Sequence, residues 1–213
     1  AADSIGMSQL LLGTRNEGKM VEAKELLAEV VGLELLLFPT VVFSDVPETG
    51  KTFLDNAILK ATAIALETGF SVLSEDSGLE VYALDGAPGV RSARYAGEPS
   101  NTDRNNALLL EKMADKTDRR AHFITVAVLC LPDGQLFAAS GVFPGAIGHE
   151  CLGDMGFGYD PLFIPSGETR TLAQMTLEEK NAVSHRQKAL SRMAGILQDL
   201  MRTGELGSSS TIK

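Results

Sequence analysis

The sequence predicts an α/β protein built on a mixed sheet, and three observations carry that expectation. Strand-length apolar runs alternate with segments whose apolar residues recur at helical spacing. The alternation runs on with no internal repeat or linker to divide it. Pro132-Asp133-Gly134 stands between two apolar runs as a hairpin signal, which adds an antiparallel pair to the sheet.

Taken in order, residues 9–12 form a short apolar run that reads as a buried strand. After a turn, Met20, Ala23, Leu26, Leu27 and Val30 recur at helical spacing, and residues 33–38 return as a strand. Phe53, Ala57, Ala61, Ile64 and Ala65 make a second helix face, with Gly69 placed to stop it. Residues 71–74 and 79–82 are expected to bracket a sharp acidic turn. Ser100 with Asp103 reads as a capping box that opens a helix through Met113. Residues 123–131 and 135–142 flank the hairpin turn. Thr176 with Glu179 reads as another capping box, and Leu190, Met193, Ala194, Leu197, Leu200 and Met201 mark an amphipathic C-terminal helix.

A chain of 213 residues has room for one self-sufficient core, here expected as a single domain over residues 7–203. Residues 1–6 are read as an appended remnant or a native extension, and residues 204–213 as a mobile tail. With 44% apolar and 22% charged residues the composition is that of an ordinary globular protein. The net charge of −9 argues against a general nucleic-acid binder or a protein held to anionic membrane by charge. It leaves room for a phosphate-bearing ligand at a local basic site. Two cysteines, Cys130 and Cys151, are too few for a disulfide framework, and a reducing cytoplasm is the expected compartment. No apolar run approaches the length of a membrane span.

Five segments carry chemistry. Gly13-Thr14-Arg15-Asn16-Glu17-Gly18-Lys19-Met20 has P-loop spacing up to its last position, where Met20 replaces the hydroxyl that would bind magnesium. A helix N-terminus with a lysine suits phosphate, so any metal must be held elsewhere; a plain strand-to-helix turn is the alternative. Gly50-Lys51-Thr52 ends like a second P-loop, but Asp45 stands where its first glycine should be; Glu48 and Asp55-Asn56 are the more informative neighbours. In Ser74-Glu75-Asp76-Ser77-Gly78, two adjacent carboxylates are unfavourable unless a cation or donors offset them, and magnesium is a natural partner. Arg91 and Arg94 follow a rigid turn and either reach phosphate or pair with the acidic surface. In Gly156-Phe157-Gly158-Tyr159-Asp160-Pro161 the aromatics either stack on a base or anchor the loop. Lys180, Ser184, His185 and Arg186 fall near the start of the last helical region, where His185 and Arg186 could donate to a carbonyl oxygen.

Together these segments resemble the inosine/xanthosine triphosphate pyrophosphatase family, the house-cleaning enzymes that remove deaminated purine nucleotides. The resemblance rests on five blocks in order: residues 14–19; residues 48–53 with Asn56-Ala57; residues 75–79, running to Gly89 and residues 92–97; residues 156–161; and Glu179-Lys180 with Ser184-His185-Arg186. It implies an elongated two-lobed α/β fold with a long mixed sheet, a central cleft and a homodimer. It implies magnesium-dependent hydrolysis of ITP, dITP and XTP to the monophosphate and pyrophosphate. By matching position it implies that Thr14, Arg15, Asn16, Glu17, Gly18, Lys19 and Lys180 bind substrate, chiefly the triphosphate. Asp76 is implied as catalytic base and, with Glu48, as metal ligand, and Ser77 as a substrate contact. Phe157, Gly158, Tyr159 and Asp160 would hold base and ribose, and His185 and Arg186 would read the base edge. Glu75 replaces an aspartate of many members, so it stands as a third candidate metal ligand whose longer arm leaves direct or water-mediated contact open.

Inosine and xanthosine present a 6-oxo acceptor where adenine presents a donor, so donors from His185 and Arg186 would be mismatched against adenine. Guanine shares the 6-oxo group, and its rejection must involve the 2-position. Three other readings compete. One is a P-loop kinase or NTPase, against which Met20 argues. Another is a Maf-like pyrophosphatase of different base preference. The last is a catalytically silent nucleotide sensor.

Overall fold

The computed structural model describes residues 8–206. Both the terminal segment read as remnant or extension and the serine-rich stretch 207–210 lie outside the described residues. Ten of the elements build the sheet and its principal helices: β1 (Ser8–Leu12), α1 (Glu17–Leu26), β2 (Leu33–Leu36), α2 (Phe53–Thr68), β3 (Val72–Val81), α3 (Thr102–Met113), β4 (Arg120–Cys130), β5 (Leu136–Ile147), β6 (Phe163–Pro165) and α5 (His185–Thr203), the last preceded by the short α4 (Leu177–Asn181). The strands form one sheet in the order β2-β1-β3-β4-β5-β6. β1 runs parallel to β2 and β3, while β6 is antiparallel to β5, so the sheet is mixed.

The chain forms two compact units. Among the described residues the first comprises 8–76, 126–140 and 189–206, and the second comprises 77–125 and 141–188. In the first unit, strand alternation divides the core cleanly. Leu10, Leu12, Leu73, Leu129 and Leu131 point to one sheet face and pack with Ala23 within α1, Leu27 just after it, and Leu190, Met193 and Leu197 of α5. Their neighbours Leu11, Val72, Val128 and Cys130 point the other way, onto Ala57, Ala61 and Ile64 of α2. Strands buried on both faces explain the unbroken apolar runs in the sequence. Gly69 ends α2 as expected, in the left-handed region at φ 75°. In the turn after α5, Leu206 is buried and its carbonyl accepts from the Ser71 hydroxyl. The second unit has its own core, in which Leu79 and Val81 of β3 meet Leu109 and Met113 of α3 and Phe123, Phe143 and Phe163 from three strands.

Two sequence expectations are corrected, and a third is borne out and located. There is no acidic turn between residues 74 and 79: β3 runs unbroken through Glu75-Asp76-Ser77-Gly78, and nearly all of it is buried. The cap of α3 is Asn101, whose side chain accepts from the Arg104 N–H, while the Ser100 hydroxyl bonds the Ala93 carbonyl instead. The Thr176–Glu179 capping box exists, but it opens only the five-residue α4; α5 starts afresh at His185, with the Ser184 hydroxyl accepting from the Gln187 N–H at 3.1 Å.

Candidate active site

The turn after β1 is closed by side chains. The Thr14 hydroxyl accepts from the Asn16 N–H at 3.1 Å, and Asn16 caps α1 by accepting from the Lys19 N–H at 3.0 Å. Glu17 and Gly18 therefore lie in the first turn of α1, where backbone N–H groups point outward and favour anions. Gly13 has a different reason to be glycine: a Cβ there would stand 2.2 Å from the Ser74 hydroxyl on β3. Arg15 does not extend the basic end of α1. Its guanidinium lies 4.8 Å from the Phe38 ring and 5.8 Å from the Phe43 ring, and it donates to the Phe43 carbonyl.

Because β3 continues through the acidic pair, alternation sends Glu75 and Asp76 to opposite sheet faces. Glu75 meets Lys19, with Nζ to Oε1 at 3.4 Å. Asp76 faces α2, where the Asn56 amide donates to its Oδ2 at 3.0 Å. The same Asn56 side chain accepts from the Gly50 N–H at 2.7 Å, so one fully buried amide ties the Glu48 segment to the carboxylate on β3. Gly50 is required there, since a Cβ would lie 2.6 Å from Asn56 Oδ1. The residues that resembled a second P-loop are this close approach followed by a helix cap, with the Thr52 hydroxyl accepting from the Asp55 N–H.

Lys60, one turn beyond Asn56 on α2, reaches Glu48 Oε1 at 3.0 Å. Burial pushes the Asp76 carboxyl above its ordinary value and Glu48 adds to the rise; Lys60, Lys19 and the Asn56 bond oppose it. The result is a buried carboxylate near a second carboxylate, with lysines as the counterweight. Sequence reading missed Lys60. The signal available was a cation placed i+4 from Asn56 on an α2 face that is otherwise apolar.

The second unit assembles the other predicted residues. Lys180 and Asp160 form a buried pair, Nζ to Oδ2 2.7 Å, and Oδ2 also accepts from the Phe157 N–H at 3.1 Å. Gly156 turns this loop at φ 73°, with no room for a Cβ against Asp160. Phe157 is partly exposed and has the Lys180 ammonium 4.7 Å and the Arg186 guanidinium 5.7 Å from its ring centre. Tyr159 is buried, which pushes its phenol well above the usual range, and its hydroxyl donates to the Ser92 carbonyl at 2.6 Å. Of the two readings of this loop, stacking suits Phe157 and anchoring suits Tyr159. The Gly158 carbonyl accepts from Asn106 of α3 at 3.0 Å. Arg186, almost wholly buried, donates to the Ser77 hydroxyl at 3.0 Å, and the His185 ring stacks on Phe123 at 4.8 Å.

The sequence profile of the Ham1 family matches residues 10–196. A dITP/XTP pyrophosphatase of Streptomyces coelicolor is 45% identical over 92% of this chain and its own full length. One of Elusimicrobium minutum is 46% identical over 87% of this chain and 98% of its own. Among solved structures, a HAM1 protein from Coxiella burnetii superposes with TM-score 0.83 at 38% identity, covering 91% of this chain and all of that one. The Staphylococcus aureus Ham1 protein gives 0.80 at 37% identity, with 90% and 98% covered. The chain belongs to the Ham1 family.

For a Ham1-family chain the metal question turns on the donor set. Among the described residues no three His, Cys, Asp or Glu side chains gather as a metal cluster. Two carboxylates, Glu48 and Asp76, are nonetheless a sufficient protein contribution for magnesium, which commonly takes one or two carboxylates and completes its shell with phosphate oxygens and water. Glu48 raises the cost of ionising Asp76, which is what a cation would relieve. The residues fit the ion, provided a phosphate ligand supplies the rest.

Proposed function

We propose that this protein is a magnesium-dependent nucleoside-triphosphate pyrophosphohydrolase that cleaves ITP, dITP and XTP between the α and β phosphates, giving the monophosphate and pyrophosphate. The observation that carries the reading is the buried Asp76, held by Asn56 and flanked by Glu48, Lys60 and Lys19. It is supported by relatives 44–46% identical that are named dITP/XTP pyrophosphatases.

In this reading Glu17 and Gly18 offer backbone N–H groups and Lys19 its ammonium to the triphosphate at the start of α1, while Thr14 and Asn16 hold the turn that presents them. Arg15 acts one step removed, bracing the Phe38–Phe43 segment from which the chain runs to Glu48. Glu48 and Asp76 would hold magnesium, which when bound neutralises phosphate charge and lowers the pKa of coordinated water. Glu75 pairs with Lys19 from the other face of β3. Asp76 orients the attacking water and takes its proton as the new bond to the α phosphorus forms and the α–β bridging bond breaks. Lys60 favours the ionised form of that carboxyl against burial and balances negative charge on the pyrophosphate leaving group. Phe157 offers its ring face to a purine, with Lys180, Tyr159 and Asp160 fixing the loop. His185 and Arg186 donate to the 6-oxo edge, and adenine leaves those donors mismatched. A homodimer in the cytoplasm completes the proposal on the strength of the resemblance; sedimentation tests the assembly.

The P-loop rival loses its rationale, because Gly13 serves packing against Ser74 and Asn16 is a helix cap. The test is product analysis with magnesium and, separately, ITP, XTP, GTP, ATP and dTTP. IMP plus pyrophosphate from ITP, with ATP and GTP largely intact, is the expected result. IDP plus orthophosphate would move the cut to the γ phosphate and overturn the reading, and binding without turnover would leave a sensor. Arg186→Ala is expected to narrow the ITP/ATP ratio of kcat/KM as well as raising KM; an unchanged ratio would count against base reading by this arginine.

A further inference from the structure

Strand β4 carries a hydroxyl where its pattern calls for an apolar side chain. Ala121, Phe123, Thr125 and Ala127 occupy one alternating, buried row, and Thr125 is fully buried in it. A buried hydroxyl is costly unless it finds a partner. Thr125 Oγ1 finds the Ser77 hydroxyl at 2.9 Å, and that same Ser77 oxygen accepts from Arg186 Nη2 at 3.0 Å. Two residues earlier on the same row, Phe123 stacks on His185 with 12° between the rings. One face of one strand therefore lies beneath both members of the His185–Arg186 pair.

The geometry points to Thr125 as a positioning residue for base selection: it fixes the Ser77 hydroxyl, which in turn fixes the plane of the Arg186 guanidinium. This rests on the reading of Arg186 as a donor to the base edge. The physical reason lies in the two side chains. A serine hydroxyl turns easily and can offer its oxygen in several directions. Threonine is stiff about χ1, and here it is seated in a buried strand, so its contact selects one of those directions. Guanidinium recognition is planar and directional, so a loosened anchor costs alignment with the 6-oxo acceptor before it costs attraction for the triphosphate.

The experiment compares the parent with Thr125→Val, Thr125→Ser and Arg186→Ala, measuring kcat and KM for ITP and ATP together with the thermal midpoint. Thr125→Val keeps the shape and removes the hydroxyl. It is expected to lower the ITP/ATP ratio of kcat/KM by about three- to tenfold, the scale of one hydrogen bond, chiefly through KM for ITP. Thr125→Ser returns the hydroxyl without the stiffness and is expected to restore part of the ratio. A purely structural role would lower the midpoint and reduce both substrates alike, and that result overturns the proposal. If Thr125→Val leaves the ratio intact while Arg186→Ala collapses it, base reading stands and the role of Thr125 is rejected. If Arg186→Ala also leaves it intact, the base-reading assignment fails and takes the proposal with it. Should Thr125→Val not fold, Thr125→Ala deletes the hydroxyl without crowding and carries the same expectations.

Discussion

Asp76 concentrates the conflict between folding and chemistry in a single side chain. It is 4% exposed, its carboxyl is pushed up by burial first and by Glu48 second, and only Lys60, Lys19 and the Asn56 amide favour its ionised form. A group whose folded pKa is raised favours folding while protonated, and that advantage is lost as pH rises through the raised value. Above that raised value its charge therefore works against the fold. Asp76→Asn removes the charge and keeps an oxygen for Asn56 to bond. It is expected to raise the thermal midpoint while reducing turnover by about 10²–10⁴-fold, the usual worth of a general base. Calorimetry beside a pyrophosphate-release assay checks both. Near-normal turnover with unchanged magnesium affinity would remove Asp76 from the mechanism.

At the scale of elements, the second unit depends on the loop turned by Gly156 and locked by Asp160. Lys180 and Asp160 are both 4% exposed at the side chain, so removing one strands the other. Lys180→Met is expected to destabilise the protein by about 3–5 kcal/mol, whereas replacing both by apolar residues costs much less. Denaturant titration of single and double variants measures the difference, and an additive pair would refute the coupling. These elements also show which parts were legible beforehand. Helices α2 and α5 and the hairpin turn could be read because periodicity and turn chemistry are local. β3 was misread because Glu-Asp-Ser-Gly has turn composition, and its partners Asn56 and Lys60 sit on another element. The cap of α3 was displaced by one residue because both Ser100 and Asn101 are capable caps. Thr125 escaped notice because its contact lies 48 residues away, which no window of sequence displays, whereas Lys60 was marked only by its i+4 spacing from Asn56.

For the whole molecule, the surface carboxylates oppose the trend at Asp76. Bonds to Arg120 hold Asp118 down at about 2, backbone and hydroxyl bonds from Ser44 lower Glu67, and Arg170 lowers Glu179. A depressed folded pKa gives stability that is complete above the unfolded value and lost as pH falls through the folded one. The thermal midpoint is therefore expected to hold nearly level from neutral pH to about 5 and to fall between about 4 and 2. A steep loss already near pH 6 would show that other groups govern. The blocks of the resemblance name residues without their contacts, so candidate residues could be read from the sequence while their geometry could not. The central claim, that water attacks the α phosphorus of a deaminated purine triphosphate, is tested most directly by turnover of ITP in oxygen-18 water. The account predicts one heavy oxygen in IMP and none in pyrophosphate. Label in the pyrophosphate would place the attack on the β phosphorus and contradict it.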